Sequence, residues 1–209
     1  MSASDTPPFH PPSDGALDLS GLLGVDFVNT IVRIGGSPVD LLATPEALSW
    51  WMSRAGGGAL EPLLPHGWPD RRRLGREAVA LRQALTELFG SVGTGSTLPS
   101  PAAFVVDRAL RGAEASFRLD ASAPADDTAF RPTARRSFHR RGSLAPLTPI
   151  ALSAVETAAS VDPSRLRSCD APDCRRWFVD TSKGGRRRWC SMARCGNRMK
   201  AARYRERHG

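Results

Sequence analysis

Four cysteines constrain this chain more than any other feature of its sequence. Cys169 and Cys174 form one pair, Cys190 and Cys195 form a second, and both pairs have the spacing C-x4-C with fifteen residues between them. Tetrahedral zinc takes four thiolates from two short loops, with enough chain between the loops to fold back. The spacing therefore predicts one Zn²⁺ per chain, bound by all four cysteines. Two disulfides or buried free thiols remain alternatives, and no neighbouring histidine supports a catalytic cysteine.

Charge is distributed unevenly along the chain. Residues 164–209 carry 14 of the 29 lysines and arginines with only four acids, a formal charge of +10, and the rest is formally −2. A strongly basic terminal segment predicts a polyanionic partner. A solvated arginine-rich surface is the alternative, since 27 of the 29 basic residues are arginine, as GC-rich coding would produce. Coding bias would act on the whole chain, however, and does not account for acids that become scarce only near its end.

The residues around the cysteines predict a small zinc module of the treble-clef kind: a knuckle, a β-hairpin and a basic helix. The hairpin is expected to pair residues 176–179 with residues 187–189. A helix from Ser191 to about Arg207 would place Cys195 on its inward face. Arg194, Arg198 and Arg205 would then share an outer sector about 40° wide. The predicted nucleic-acid contacts are Arg186, Arg187, Arg188, Arg194, Arg198, Lys200, Arg203 and Arg205. For Arg198, a hydrogen bond to a cysteine thiolate or to the knuckle backbone is an open alternative.

The region before the cysteines has a mainly helical pattern. Ser or Thr followed by Pro predicts helix starts at Thr44, Ser100 and Thr148, because the hydroxyl caps free N–H groups and proline needs no donor there. A longer helix, from about residue 70 to residue 90, carries the clearest apolar stripe: Leu74, Ala78, Leu81, Leu85 and Leu88. Residues 24–34 fit either a helix or a strand, and residues 115–140 an irregular hairpin. The fold class expected is α+β, with a mainly helical first domain and a small zinc finger.

Several functional classes have little support in the sequence. No apolar run approaches the roughly 20 residues of a membrane span. The first 14 residues are polar and proline-rich, which predicts a disordered tail on a cytoplasmic protein. No catalytic constellation is visible, so we expect no enzymatic activity. Asp26, Asn29 and Asp40 place polar groups in an apolar stretch; capping or loop contacts would explain them, and a pocket for a small effector is the weaker alternative.

A family resemblance adds to this interpretation. Residues 189–198, WCSMARCGNR, resemble the signature of the CGNR zinc-finger family, and the flanking FVDTS, RRW and final basic stretch are similar to that family's pattern. Upstream, DFVNT at residues 26–30 and VDLL at residues 39–42 resemble the ABATE domain that usually precedes this finger. The resemblance implies a stress-responsive transcription regulator whose first domain senses a ligand. The domains expected are a tail over 1–14, an ABATE-like domain over 15–160 and the finger over 165–209.

Three functions compete at this point. The favoured hypothesis is a transcriptional regulator that binds double-stranded DNA through the basic helix. RNA binding, including association with the ribosome, is the alternative, with Trp177 and Trp189 as candidates for base stacking. A protein-interaction module that binds no nucleic acid is the third. The sequence leaves open whether the protein forms a homodimer.

Overall fold

The computed structural model describes residues 9, 17, 19–34, 37–120 and 133–208. The N-terminal region contains five helices and two hairpins: α1 (Leu23–Val28), β1 (Ile31–Ile34), β2 (Ser37–Asp40), α2 (Pro45–Arg54), α3 (Trp68–Thr94), α4 (Ser100–Leu110), β3 (Ala113–Asp120), β4 (Thr133–Arg140) and α5 (Leu147–Ser160). The C-terminal region contains β5 (Leu166–Ser168), β6 (Trp177–Val179) and α6 (Asn197–His208). Each described sheet has two antiparallel strands. The predicted α+β class, mainly helical at first and followed by a small cysteine-rich module, is confirmed.

The long helix α3 is the axis of the main core. Its leucine stripe is buried as the spacing predicts, with Leu88 partly buried, and Phe89 at 0% exposure extends the stripe. Helix α2 contributes Trp51, whose ring lies 5.5 Å from that of Phe27 in α1. The helix is longer at both ends than the predicted range of about 70–90, and it ends where Gly95 adopts a φ of 67°. Burial of this periodic apolar face is the main force that assembles the N-terminal region.

Helices α1 and α5 pack closely because α1 has a glycine, Gly24, at the point where it contacts α5. A Cβ atom on Gly24 would lie 2.5 Å from the backbone of Ala154, so no other residue fits without displacing one helix. The Gly24 N–H also donates a hydrogen bond to the Ser153 hydroxyl, at 3.1 Å. This contact holds the short α1 helix, and the β1–β2 hairpin that follows it, against the core.

Of the three predicted helix caps, one is confirmed. Thr44 caps α2, and its hydroxyl accepts a hydrogen bond from the Ala47 N–H at 3.2 Å. Helix α4 begins at Ser100 itself, without a side-chain cap, so that cap prediction is wrong. The prediction for Thr148 is also wrong, because α5 begins one residue earlier. Its buried hydroxyl instead donates to the carbonyl of Ala109 at 2.8 Å, which ties the end of α4 to the start of α5.

Two segments that the sequence left ambiguous are resolved. Residues 24–34 contain both alternatives in succession, since α1 is followed by Asn29 and Thr30 and then by strand β1. The predicted hairpin within residues 115–140 is confirmed as β3 paired with β4. The connection between its strands lies outside the described residues. So does most of the predicted tail, although Phe9 is described and its ring lies 5.8 Å from that of Trp50.

The cysteine-rich region is joined to the N-terminal region through the β5–β6 hairpin. Strand β6 pairs with β5, which precedes Cys169, and not with residues 187–189 as predicted. Leu166 of β5 belongs to the main core, and the Trp177 ring of β6 lies 5.7 Å from that of Phe89. Both faces of this hairpin are therefore used, one for the first cysteine loop and the other for the N-terminal core. Within the described part of the chain, no helix has the length and hydropathy to cross a membrane.

Candidate metal centre and the basic surface beside it

The four cysteines converge on one point. Their sulfur atoms all lie within 4.8 Å of one another, with 3.7 Å between Cys174 and Cys190 and 3.8 Å between Cys190 and Cys195. Tetrahedral zinc with Zn–S bonds of about 2.3 Å requires sulfurs about 3.8 Å apart. The donor set is four thiols, which is a structural zinc set with no position left for a substrate. The residues therefore fit one Zn²⁺ per chain, as predicted.

Each pair of ligands is placed by its own backbone contacts. In the first loop, the Cys169 N–H donates to the Arg176 carbonyl and the Cys174 N–H to the Ala171 carbonyl, both at 2.9 Å. In the second loop, the Cys190 N–H points at the Cys169 sulfur, 3.4 Å away, which joins the two halves of the site. Cys195 lies in a wide π-helical turn, Met192–Gly196, which precedes α6. Ligands spread over 27 residues are thus assembled by local hydrogen bonds.

The electrostatics of the protein groups alone also indicate a cation. A hydrogen bond from Cys190 lowers the pKa of Cys174 to about 5, so one thiolate forms readily. Donation of that hydrogen bond, together with burial, raises the pKa of Cys190. Burial and the negative charge of Cys174 raise the pKa of Cys195 to about 11. Four thiolates so close together repel one another, and a divalent cation is what permits all of them to ionise.

Arg198 lies beside the metal ligands. Its guanidinium donates to the Asp173 carboxylate at 2.6 Å and approaches the Cys195 sulfur at 3.9 Å. The contact with Cys195 is the one expected under the alternative role for Arg198, in which its side chain donates a hydrogen bond to a cysteine thiolate. A cation at this distance offsets part of the negative charge of a zinc–tetrathiolate centre.

The loop between the two ligand pairs is organised by Asp180, which sequence reasoning placed in a plain turn. Asp180 is fully buried and accepts hydrogen bonds from the Ser182 N–H and hydroxyl, at 2.9 and 2.6 Å, and from the Arg187 N–H, at 2.8 Å. The Ser182 bond is the largest of the effects that lower the pKa of Asp180 to about 2. The available signal was that Asp180 is the only acid between Cys174 and Cys190.

Arg187 also serves the loop. Its guanidinium donates to the carbonyls of Trp189 and Cys190 and lies 5.0 Å from the centre of the Phe178 ring. Its neighbour Arg186 is exposed, and the exposed Arg188 is paired with Asp170 at 2.8 Å. The three predicted hairpin arginines therefore differ in environment, since Arg187 is half-buried in the fold of the loop and Arg186 and Arg188 are exposed.

The basic residues of α6 form one exposed face, which we call the outer face: Lys200, Arg203 and Arg207. At 100° per residue they fall within about 60° of one another. On the same projection Met199, which packs against the cysteine cluster, lies about 40° beyond Arg203 and about 100° from Lys200. All three basic residues are exposed, and the exposed Tyr204 lies about 40° from Lys200, outside their sector. Met199 thus holds α6 on the metal centre while the three basic residues stay exposed to solvent.

Arg194 and Arg205 lie elsewhere. The helix predicted from Ser191 is not uninterrupted, because the π-helical turn Met192–Gly196 precedes α6 and alters the rotation between Arg194 and the residues of α6. Arg194 and Arg198 both line a cleft between the two regions of the chain. Arg205 is exposed on the side of α6, outside the outer face. On α6 Arg198 and Arg205 fall within about 20° of one another, and a joint contact of the three arginines with nucleic acid stays a prediction.

Two family models together match almost the whole chain. Residues 21–161 match ABATE, described as "Putative stress-induced transcription regulator", and residues 165–208 match the CGNR zinc finger. The chain belongs to the ABATE family. The two matches meet between α5 and β5, and all four zinc ligands fall inside the second. No curated protein matches the chain.

Within the ABATE region, the three residues predicted as a weak ligand site have separate environments. Asp26 is buried and accepts hydrogen bonds from the N–H and the hydroxyl of Ser20 at 2.6 and 2.7 Å. Burial raises the pKa of Asp26, and the Ser20 hydrogen bonds oppose that rise only in part. Asp40 forms a two-point ion pair with Arg82, at 2.6 and 2.7 Å. Asp26 is thus bound by Ser20 and Asp40 by Arg82, and neither aspartate lines the cleft between the two regions.

Asn29 has a different role, which links the ABATE region to the CGNR finger. Its side-chain amide donates to the Trp177 carbonyl and accepts from the Trp177 N–H, both at 2.8 Å. These two bonds continue the backbone pattern of a sheet, so Asn29 acts as one more partner for the edge of β6. Sequence reasoning identified the residue but not this contact, because its partner lies 148 positions further along the chain.

Proposed function

We propose that this ABATE-family protein is a zinc-containing transcriptional regulator that binds double-stranded DNA through the outer face of α6. The observation that carries the proposal is the exposure of Lys200, Arg203 and Arg207 within one 60° sector of a helix whose Met199 packs on the zinc ligands. The contact of Met199 with the metal centre supports this helix, and its exposed basic residues are left to a partner. Arg186 and Arg205 are also exposed and are further candidates for contacts with the same duplex.

The chemistry of the outer face suits a duplex. Arginine and lysine bind phosphate oxygens by charge-assisted hydrogen bonds, and arginine also pairs with guanine edges in the major groove. That groove is wide enough for an α-helix. Residues spaced by three, four and seven positions lie along one side of the helix, so all three cations reach one groove together. Because each phosphate contact releases counterions, binding should weaken steeply as salt is raised.

RNA binding remains the competing function, and the surroundings of the tryptophans lend it little support. A stacking platform needs an open aromatic face. Trp177 is half-buried against Phe89, and Trp189 is half-buried against the cysteine cluster. We also propose a cytoplasmic location, where cysteines stay reduced as metal ligands, and a role without enzymatic activity.

The experiment is selection of bound oligonucleotides from a random duplex pool by the zinc-loaded, full-length protein, followed by titration of the selected duplex. The test variant removes the outer face (Lys200→Ala, Arg203→Ala and Arg207→Ala together). We expect an affinity loss of about 100-fold, since each lost contact is worth about 1 kcal/mol or more. The slope of log affinity against log salt should fall by about 0.9 for each lost phosphate contact.

A matched control removes three exposed arginines from α3, Arg72, Arg73 and Arg76, and so changes net charge equally. The control should lose less than tenfold. Equal losses in both variants would mean that net charge, not the outer face, determines binding. Tighter binding of a structured RNA than of any selected duplex would overturn DNA in favour of RNA. The stoichiometry of the complex reports whether one copy or a homodimer binds.

A further inference from the structure

The side of α6 that points directly away from the metal centre carries no lysine, arginine or acid. At 100° per residue, four residues lie between about 140° and 180° from Met199, which packs on the cysteine cluster. We call them the central stripe: Asn197, Ala201, Tyr204 and His208. All four are exposed, and they follow one another along the helix at intervals of four, three and four residues. The central stripe is therefore the part of the helix that faces furthest from the metal.

Basic residues lie on both sides of the central stripe. On one side is the outer face, of which Lys200 lies about 40° from Tyr204. On the other side, the exposed Arg205 lies about 40° from Ala201. A helix in the major groove of DNA has phosphates along both walls and base edges on the floor between them. Cations on two flanks, with neutral side chains between them, match that distribution of charge.

Tyr204 is a large aromatic residue that the fold leaves in solvent. It is the only tyrosine of the chain, and 62% of its surface is exposed. Its ring stacks on the His208 ring, with 4.2 Å between the ring centroids and 18° between the planes. Nδ1 of His208 also lies 2.9 Å from the Tyr204 carbonyl oxygen. The stack restricts the tyrosine ring, which therefore loses less entropy when it meets a partner.

The chemistry of the central stripe suits base edges better than phosphates. A tyrosine ring offers apolar surface, and the apolar group that the major groove displays is the C5-methyl of thymine. An asparagine amide has the donor and the acceptor that match N7 and N6 of adenine. Asn197 and Tyr204 are seven residues apart, about 10 Å along an α-helix, which is close to three base-pair steps of about 3.4 Å. The spacing thus places both side chains over bases of one groove.

We propose that the central stripe reads base edges in the major groove, with the Tyr204 ring packed against the C5-methyl of a thymine. The inference rests on the proposed function, since it names the part of α6 that gives that duplex contact its sequence preference. The outer face and Arg205 bind phosphates on either side. Uracil lacks this methyl group, and the major groove of an RNA duplex is too narrow for side chains to read. The same contact therefore favours DNA over RNA.

The test replaces each thymine of the selected duplex in turn by deoxyuridine, which removes the methyl group and keeps base pairing. With the zinc-loaded, full-length protein, we expect an affinity loss of about fourfold at one position, the value of one buried methyl group. In Tyr204→Ala the same replacement should change affinity less than twofold, because the ring that contacts the methyl group is gone. Tyr204→Phe keeps the ring and should keep the discrimination.

Arg203→Ala is the matched control on α6, because it removes a phosphate contact and leaves the central stripe intact. It should weaken binding of every duplex by a similar factor and lower the slope of log affinity against log salt by about 0.9. Its loss on replacement of thymine should stay about fourfold. Tyr204→Ala should instead leave the salt slope unchanged and keep its zinc, since Tyr204 is exposed. Phe104→Ala, which removes an exposed aromatic ring from α4, should change neither the salt slope nor the discrimination.

The outcomes distinguish this inference from the proposed function. Duplex binding that depends on salt and on the outer face, without a thymine position coupled to Tyr204, would overturn the role of the central stripe and leave the DNA function. Discrimination that persists in Tyr204→Ala would assign the methyl contact to another residue and would have the same result. Absence of duplex binding would overturn both.

Discussion

The ABATE region and the CGNR finger of this chain are stabilised by different means. The first buries a continuous core with large side chains such as Phe27, Trp51 and Phe89, whereas the buried apolar cluster of the second consists of Cys169, Ala171, Phe178 and Cys195. A fully buried large apolar side chain contributes roughly 1.5–3 kcal/mol. Such burial suffices for the first region and not for the second, so the finger depends on its metal.

The β5–β6 hairpin connects these two means of stabilisation. Leu166 and Trp177 belong to the apolar assembly around α3, while Cys169 and Cys174 in the loop between the same strands bind the metal. The hairpin is thus stabilised both by apolar packing against the ABATE core and by the metal bound in its loop. The comparison implies a chain in which the finger can unfold locally while the ABATE core persists, with the hairpin as the boundary.

Removal of zinc should produce the largest effect. In Cys195→Ser or in chelated protein, we expect loss of about one zinc per chain and loss of amide protection throughout the finger, because metal supplies roughly 10–16 kcal/mol in small zinc modules. Amides of α3 and α5 should keep their protection. Elemental analysis and hydrogen exchange measure the two outcomes.

Met192→Ser is the control for that substitution, since Met192 is an exposed neighbour that is not a ligand. It should keep its zinc and its exchange pattern. Global loss of protection in the chelated protein would break the comparison, because it would show that the two regions fold as one unit.

Removal of the Asn29 link should have an intermediate effect, confined to the boundary. In Asn29→Ala the N–H and the carbonyl of Trp177 both lose their partner, at a cost of about 2–4 kcal/mol. We expect faster exchange in β5 and β6 with unchanged zinc content, measured by hydrogen exchange and elemental analysis. Gln83→Ala removes an exposed amide of α3 and should change neither. Unchanged exchange in the Asn29 variant would show that apolar contacts alone dock the finger.

The smallest effect concerns Asp40 and depends on pH. Burial alone would raise the pKa of Asp40, but the hydrogen bonds from Arg82 and the Leu42 N–H, and the Arg82 charge, lower it below 3.8. A lowered folded-state pKa means that the stabilisation is complete above 3.8 and is lost as pH falls through the folded-state value. Asp40→Asn should cost about 1–2 kcal/mol at pH 7, since the pair is partly exposed and screened.

The measurement is the difference in unfolding free energy of the ABATE core between wild type and Asp40→Asn at pH 7 and at pH 3. The difference should shrink at the lower pH. Because both proteins lose zinc in acid, metal release cancels from the comparison. A constant difference across this range would show that the charge of Asp40 contributes nothing.

Features that depend on short stretches of chain were predictable from the sequence. The zinc ligands follow from two C-x4-C pairs, because a metal site requires particular residue types at short spacing. The leucine stripe of α3 and the Thr44 cap follow from helical period and from hydroxyl chemistry within one turn. The π-helical turn at Met192–Gly196 did not follow, since it is a local departure from the α-helical period that was assumed.

Features that join distant segments were decided only in the tertiary structure. The sequence by itself determined a metal-dependent basic module after a helical core, because residue type, spacing and charge are sufficient for that. The partner of β6, the Asn29–Trp177 link and the cleft depend on which surfaces meet across more than a hundred residues of chain. Thr148 shows the same limit, since its hydroxyl could cap a helix or reach Ala109, and packing of α4 against α5 selected the second.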